Sequence, residues 1–214
     1  MIQDVPLPSR QVVYVLDDDS GVRVSLVELL RSRGVEARPF AEAEDLLAEL
    51  DHIDPGVLLI DVRLGSINGL DLLPELAKRD CLWPVAIITA HGDVPLAVQA
   101  VRAGAFEFLE KPFTGTTLKA VVDRGLALLP EAADRSRRRR RGRRLILSLS
   151  KRQREVFEGV VEGLTSKEIA IRLGLSHRTV EAYRQDMTAK LGSQSVADLF
   201  ELKSVLAQTA LEET

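Results

Sequence analysis

The stretch VVYVLDDDSG, residues 12–21, runs five apolar or aromatic residues straight into three aspartates. A short apolar run bounded by polar residues reads as a buried strand. Two carboxylates held about 4 Å apart repel by roughly 1 to 4 kcal/mol, depending on the effective dielectric. A fold that buries this run must offset that charge or turn the carboxylates apart into water.

The chain downstream alternates between two periods. SGVRVSLVELLRSRG (20–34) has the helical one, with Ser20 expected as N-cap and Gly34 just past the end. VEARPF (35–40) reads as a strand, AEAEDLLAEL (41–50) as a helix and GVLLID (56–61) as a buried strand. GLDLLPELAKR (69–79) is helical, PVAIIT (84–89) a strand and VPLAVQAVRAG (94–104) a helix. FEFLE (106–110) and TTLKAVVDRGLALL (116–129) add a last strand and helix. Strands alternating with helices predict a parallel sheet covered on both faces, an α/β fold of flavodoxin-like (βα)5 type. In such sheets ligands gather at the carboxyl ends of the strands.

The 214 residues fit two modest domains. No run of 18 apolar residues is present, so no membrane span is expected. The start, MIQDVPLPSR, lacks the pattern of a signal peptide. One cysteine, Cys81, cannot form an internal disulfide, which suits a cytoplasmic protein. The net charge of −3 hides an asymmetry: residues 1–130 carry 12 Lys and Arg against 20 Asp and Glu, residues 131–214 carry 17 against 12. An acidic half joined to a basic half suggests one part that binds cations and another that meets a polyanion. Residues 131–147 hold the densest arginine run, and Pro130 is expected to end the helix before it. The expected organisation is therefore a domain over 1–130, an arginine-rich linker over 131–147 and a second domain over 148–214.

In the flavodoxin-like strand order 2-1-3-4-5 the first and third strands are neighbours, so Asp17, Asp18 and Asp61 are brought to one edge. An oxygen-only carboxylate set favours Mg²⁺. The triplet equally fits a solvated turn capping the next helix. Thr89 ends the fourth strand and Lys111 follows the fifth, each of which is also ordinary strand filler or surface lysine when taken alone. Together they suit a phosphoryl group: Lys111 neutralises its oxygens, Thr89 donates a hydrogen bond, and Asp61 is the natural nucleophile.

These residues resemble the receiver domains of two-component response regulators, over about residues 10–128. The resemblance implies that Asp61 is the phospho-acceptor and that Mg²⁺ is held by Asp18, Asp61, the Arg63 backbone carbonyl and, through water, Asp17. It makes Thr89, Phe108 and Lys111 the switch and phosphate-binding residues, and Lys111–Pro112 a cis peptide. ITAHGDVPLAVQAVRAGAFEFLEKPF (88–113) looks like the FixJ branch. One departure is DVRLGSING (61–69), where Gly65 stands in place of an expected proline and is expected to loosen the loop.

The C-terminal part, expected to be four helices over 151–163, 166–173, 177–191 and 195–210, is densely punctuated. Ser150 with Gln153 and Thr165 with Glu168 form capping boxes, Gly174 ends one helix, Ser176 caps the next and Gly192 ends it. Helix, short glycine turn, helix is the helix-turn-helix pattern, although an αα-hairpin in a small bundle shares it. Val180, Met187 and Leu191 share an inward face, leaving Arg178, Glu181, Ala182 and Gln185 outward, with Arg184 and Lys190 flanking them. SHRTVEAYRQDMTAKL (176–191) resembles the LuxR/FixJ DNA-binding domain. The match places Glu181, Ala182 and Gln185 at bases and Thr179 and Lys190 at phosphates, and lets Tyr183 reach a phosphate. Gln153 stands where the family usually has glutamate.

The expected protein is a cytoplasmic response regulator. A sensor histidine kinase phosphorylates Asp61, the receiver forms a homodimer through residues 94–110, and paired modules bind a two-fold-related DNA site. A vestigial receiver on a DNA-binding protein, or an Mg²⁺-dependent phosphohydrolase, are the competing readings.

Overall fold

A computed structural model describes residues 11–192 and Leu199. The chain divides into two compact units at Ser136/Arg137. The first contains β1 (Val12–Leu16), α1 (Ser20–Arg31), β2 (Glu36–Phe40), α2 (Ala43–Glu49) and β3 (Gly56–Asp61). A hairpin of β4 (Arg63–Leu64) and β5 (Ile67–Asn68) follows, and a short 3-10 turn leads into α3 (Leu72–Lys78). Then come β6 (Val85–Thr89), α4 (Val94–Arg102), β7 (Glu107–Glu110) and α5 (Gly115–Leu147), whose residues from Arg137 onward count with the second unit. The main sheet has the order β2-β1-β3-β6-β7, all parallel. This is the expected flavodoxin-like topology, with the switch point between β1 and β3.

β1, β3 and β6 are buried along their whole lengths, as Val/Ile/Leu runs in a parallel sheet must be. Tyr14 is the one polar ring among them. Its hydroxyl donates to the Asp54 carbonyl at 2.7 Å, and its ring stacks on Trp83 with centroids 5.9 Å apart. Room for that ring comes from Gly56, where an added Cβ would lie 2.5 Å from Tyr14 Cε2. Burial, with a smaller push from Asp54, raises the phenol to about 12.

The last helix corrects the expected boundary at Pro130. α5 runs unbroken through Pro130 and the arginines to Leu147. A proline inside a helix removes one hydrogen bond and costs about 3 kcal/mol. Set against that, Leu118, Val122, Leu126, Leu129, Ala133 and Ser136 form a buried stripe at three- and four-residue spacing straight across it. Ser136 fastens the stripe: its hydroxyl donates to the Ala132 carbonyl at 2.9 Å and accepts from the Leu82 N–H at 2.9 Å. The arginine run is thus helical.

The second unit holds α6 (Lys151–Val161), α7 (Ser166–Leu173) and α8 (His177–Leu191). Both capping boxes are present, and Gly174 and Gly192 take left-handed conformations at φ 64° and 62°. Val156, Phe157, Val160, Ile169, Val180, Met187 and Leu191 make its core with Ile146, Leu149 and Leu199. The fourth expected helix, 195–210, lies outside the described residues except for Leu199. Among the described residues no helix is long and apolar enough to cross a membrane.

Tyr14 generates a pH prediction. The folded phenol ionises at about 12, while an unfolded tyrosine ionises near 10. The unfolded chain then binds fewer protons over that window, so this contribution is intact below about pH 10 and lost as pH rises toward 12. Urea midpoints followed from about pH 8 to 12 should fall less steeply for Tyr14→Phe than for wild type. Equal alkaline losses in the two proteins would contradict it.

Candidate phosphoryl-acceptor site and DNA interface

The sheet register gathers the charged residues at one edge. Leu16 lies beside Ile60, so Asp17 and Asp61 follow at adjacent strand ends. Thr89 pairs in register with Glu110, the residue before Lys111. Lys111 Nζ sits between the two carboxylates, 2.8 Å from Asp17 Oδ2 and 2.7 Å from Asp61 Oδ1. Asp17 and Asp61 are 3% and 8% exposed, so this ammonium offsets charge that water does not reach well. Burial pushes the Asp17 carboxyl up, against the pull of Lys111. Burial pulls Lys111 down, but its bonds to Asp17 and Asp61 outweigh that and its net shift is upward.

The aspartates at this edge have further partners of their own. Asp17 Oδ1 also accepts from the Asp19 N–H at 3.0 Å, and Asp61 Oδ2 from the Arg63 N–H at 2.6 Å. Asp18 is exposed, and its Oδ2 accepts from the Gly65 N–H at 3.0 Å. Asp19, not Ser20, is the N-cap of α1, accepting from Gly21 and Val22. Arg23, one turn into α1, donates to the carbonyls of Asp17 and Asp18 at 2.6 and 3.2 Å. No sequence motif marked Arg23; its place one turn past the aspartates was the available signal.

The chain's own groups offset the charge of the aspartates at this edge. Lys111 does so for Asp17 and Asp61, while Asp18 faces the hairpin. Among the described residues no three His, Cys, Asp or Glu side chains are gathered as a metal-holding group.

Thr89 is buried beside this pair; its Oγ1 accepts from the His91 N–H at 3.2 Å, and its carbonyl accepts from the Lys111 N–H at 2.6 Å. Phe108 is half-buried against the core, and Lys111–Pro112 is cis.

In the second unit α8 presents Arg178, Glu181, Ala182 and Gln185 to solvent. With Arg184, Thr188, Ala189 and Gly192 they line a shallow concavity. Thr179 is half-buried at the first turn, where its N–H donates to the capping Ser176 hydroxyl at 3.1 Å. Tyr183 is half-buried and packs its ring on the helical core. Arg184 Nη1 donates to Ser166 Oγ at 3.1 Å, and Lys190 Nζ to Gln153 Oε1 at 3.0 Å.

A family model described as "Response regulator receiver domain" matches residues 13–123, and one described as "Bacterial regulatory proteins, luxR family" matches 147–202. The chain is 40% identical to the transcriptional regulatory protein TdiR of Thauera aromatica over 191 residues, 89% of this chain and 84% of that one. It is 40% identical to the transcriptional regulatory protein FixJ of Azorhizobium caulinodans over 193 residues, 90% of this chain and 92% of that one.

The chain belongs to the FixJ/NarL family of response regulators.

The structure of full-length FixJ from B. japonicum is similar, with 35% identity, a TM-score of 0.54 and coverage of 92% of this chain and 98% of that one. The response regulator joins a receiver to a LuxR-type DNA-binding domain, regulates transcription and is not an enzyme.

Gly65 of the response regulator departs from the expectation of a loose loop. Leu64 and Ile67 pair across a two-residue turn, with φ of +60° at Gly65 and no positive φ at Ser66. That sign pattern belongs to a type II′ hairpin, which wants glycine first. Proline, fixed near −65°, cannot adopt it and has no N–H to give Asp18. Gly65→Pro should destabilise by about 1 to 3 kcal/mol through the strained backbone and the lost bond. A denaturant midpoint at or above wild type would overturn this account of the hairpin.

Proposed function

We propose that Asp61 accepts a phosphoryl group from a sensor histidine kinase and that this controls pairing of the receivers and sequence-specific DNA binding in the cytoplasm. The observation that carries the reading is Asp61 at the end of β3, with Lys111 Nζ on one carboxylate oxygen and the Arg63 N–H on the other. In the transfer an Asp61 oxygen bonds to phosphorus while the bond from phosphorus to the donor's nitrogen or oxygen breaks. Lys111 is placed to follow the charge from carboxylate to phosphoryl oxygen, and the Thr89 hydroxyl can turn toward it. That gives the edge two arrangements, which is what a switch needs. Phe108 lies on β7 beside Ile87 and packs against the core next to this edge.

The donor chemistry suits Mg²⁺, since Asp17, Asp18, Asp61 and the Arg63 carbonyl offer hard oxygens. Asp17 would act through water, and the exposed Asp18 carboxylate would exchange the Gly65 N–H for the ion. When bound, the ion neutralises charge on the phosphoryl oxygens. Val94, Val98 and Val101 form an exposed apolar stripe on α4, at 77%, 45% and 61% exposure, which favours residues 94–110 as the homodimer face. Paired modules then suit a two-fold-related DNA site, read by Arg178, Glu181, Ala182 and Gln185, with Thr179, Tyr183, Arg184 and Lys190 near phosphates.

Acetyl phosphate with Mg²⁺ should add one phosphoryl mass to the wild-type chain and none to Asp61→Asn, and labelling should raise the dimer fraction. Intact mass and sedimentation measure both. Equal labelling of the two proteins would remove Asp61 from the acceptor role.

A further inference from the structure

The cations of the DNA-binding unit are held in two different ways. Away from α8, Arg152 pairs with Glu155 at 2.7 Å and Arg172 with Glu162, whereas Arg154 donates to the Leu149 carbonyl at 3.4 Å. On α8, Arg184 is held by the Ser166 hydroxyl and Lys190 by the Gln153 amide oxygen. Both acceptors are neutral and both are buried, Gln153 at 5% exposure. Among the described residues neither Arg184 nor Lys190 has a carboxylate partner.

Gln153 is the clearer case. Its Oε1 accepts from the Ser150 N–H at 3.0 Å and from Lys190 Nζ at 3.0 Å. Both partners are donors, so the amide must present its oxygen to them. That oxygen fixes the ammonium at the end of α8 and leaves its unit charge intact. A carboxylate in the same place would form an ion pair and cancel it. The distinction matters in this unit because residues 150–214 carry 9 Lys and Arg against 10 Asp and Glu. With no positive excess overall, affinity for a polyanion depends on cations that are positioned without being neutralised.

We infer that Gln153 is a positioning residue for DNA binding: it orients Lys190 toward a backbone phosphate while preserving its charge, as Ser166 does for Arg184. The inference rests on the proposal that Lys190 lies at a phosphate.

Gln153→Glu tests it on the full chain, because glutamate at this position also closes the capping box and keeps α6. Affinity for a duplex of arbitrary sequence is measured across roughly 50 to 200 mM salt, for wild type, Gln153→Glu, Lys190→Gln and the double variant. Loss of one phosphate contact makes the slope of log affinity against log salt shallower by about 0.9. Over a roughly fourfold rise in salt, Gln153→Glu then loses affinity by a factor about 3.5-fold smaller than wild type does. Lys190→Gln should show the same slope, and the double variant should add nothing. A purely structural role for Gln153 would lower the unfolding temperature without moving the slope. If Lys190→Gln flattens the slope and Gln153→Glu does not, the inference is overturned. If Lys190→Gln keeps the wild-type slope, Lys190 is not at a phosphate, and the placement beneath the inference fails instead.

Discussion

The receiver is organised around one ammonium between two buried carboxylates. Parallel pairing of β1 with β3 puts Asp17 and Asp61 side by side, and neither can be buried there as an uncompensated charge. Lys111 reaches both from the end of β7, so a side chain from the last strand closes an edge formed by the first and third. The remaining acidic groups are arranged to avoid adding to that charge: Asp19 turns onto the α1 N-terminus and Asp18 onto the hairpin. Arg23 then braces the carbonyls of the segment that carries them.

The sheet was legible because each buried strand is an uninterrupted apolar run, and Asp17, Asp61 and Thr89 each stand at the end of one. Asp17, Asp61, Thr89 and Lys111 could be placed at one edge from strand order alone. The directions of their side chains could not, since three consecutive aspartates have no period that assigns one to a lysine, one to a hairpin and one to a cap. Pro130 misled for a related reason. Its local cost is certain, whereas the stripe from Leu118 to Ser136 that outweighs it is visible only as a spacing on both sides. Gly65 reads as a missing proline until the sign of its φ is known.

In the second unit the punctuation carried more information than the apolar pattern. Capping boxes and left-handed glycines fix where α6, α7 and α8 begin and end, so the outward residues of α8 followed by counting. Tyr183 and Arg184 escaped that count because both sit at the flank of the helix, where a long side chain can fold back. One packs on the core and the other reaches Ser166.

The bond between Ser136 and the Leu82 N–H moves the natural end of the receiver. A receiver cut at Pro130 would lose Ala132, Ala133 and Ser136, leaving a backbone donor near Cys81 and Trp83 without its acceptor. The excised domain that holds together as an independent piece thus extends into the start of what reads, by composition, as a linker. Genetic fusions or expression of the isolated receiver would need to carry the helix through Ser136, nearly two turns past the proline, to retain that acceptor.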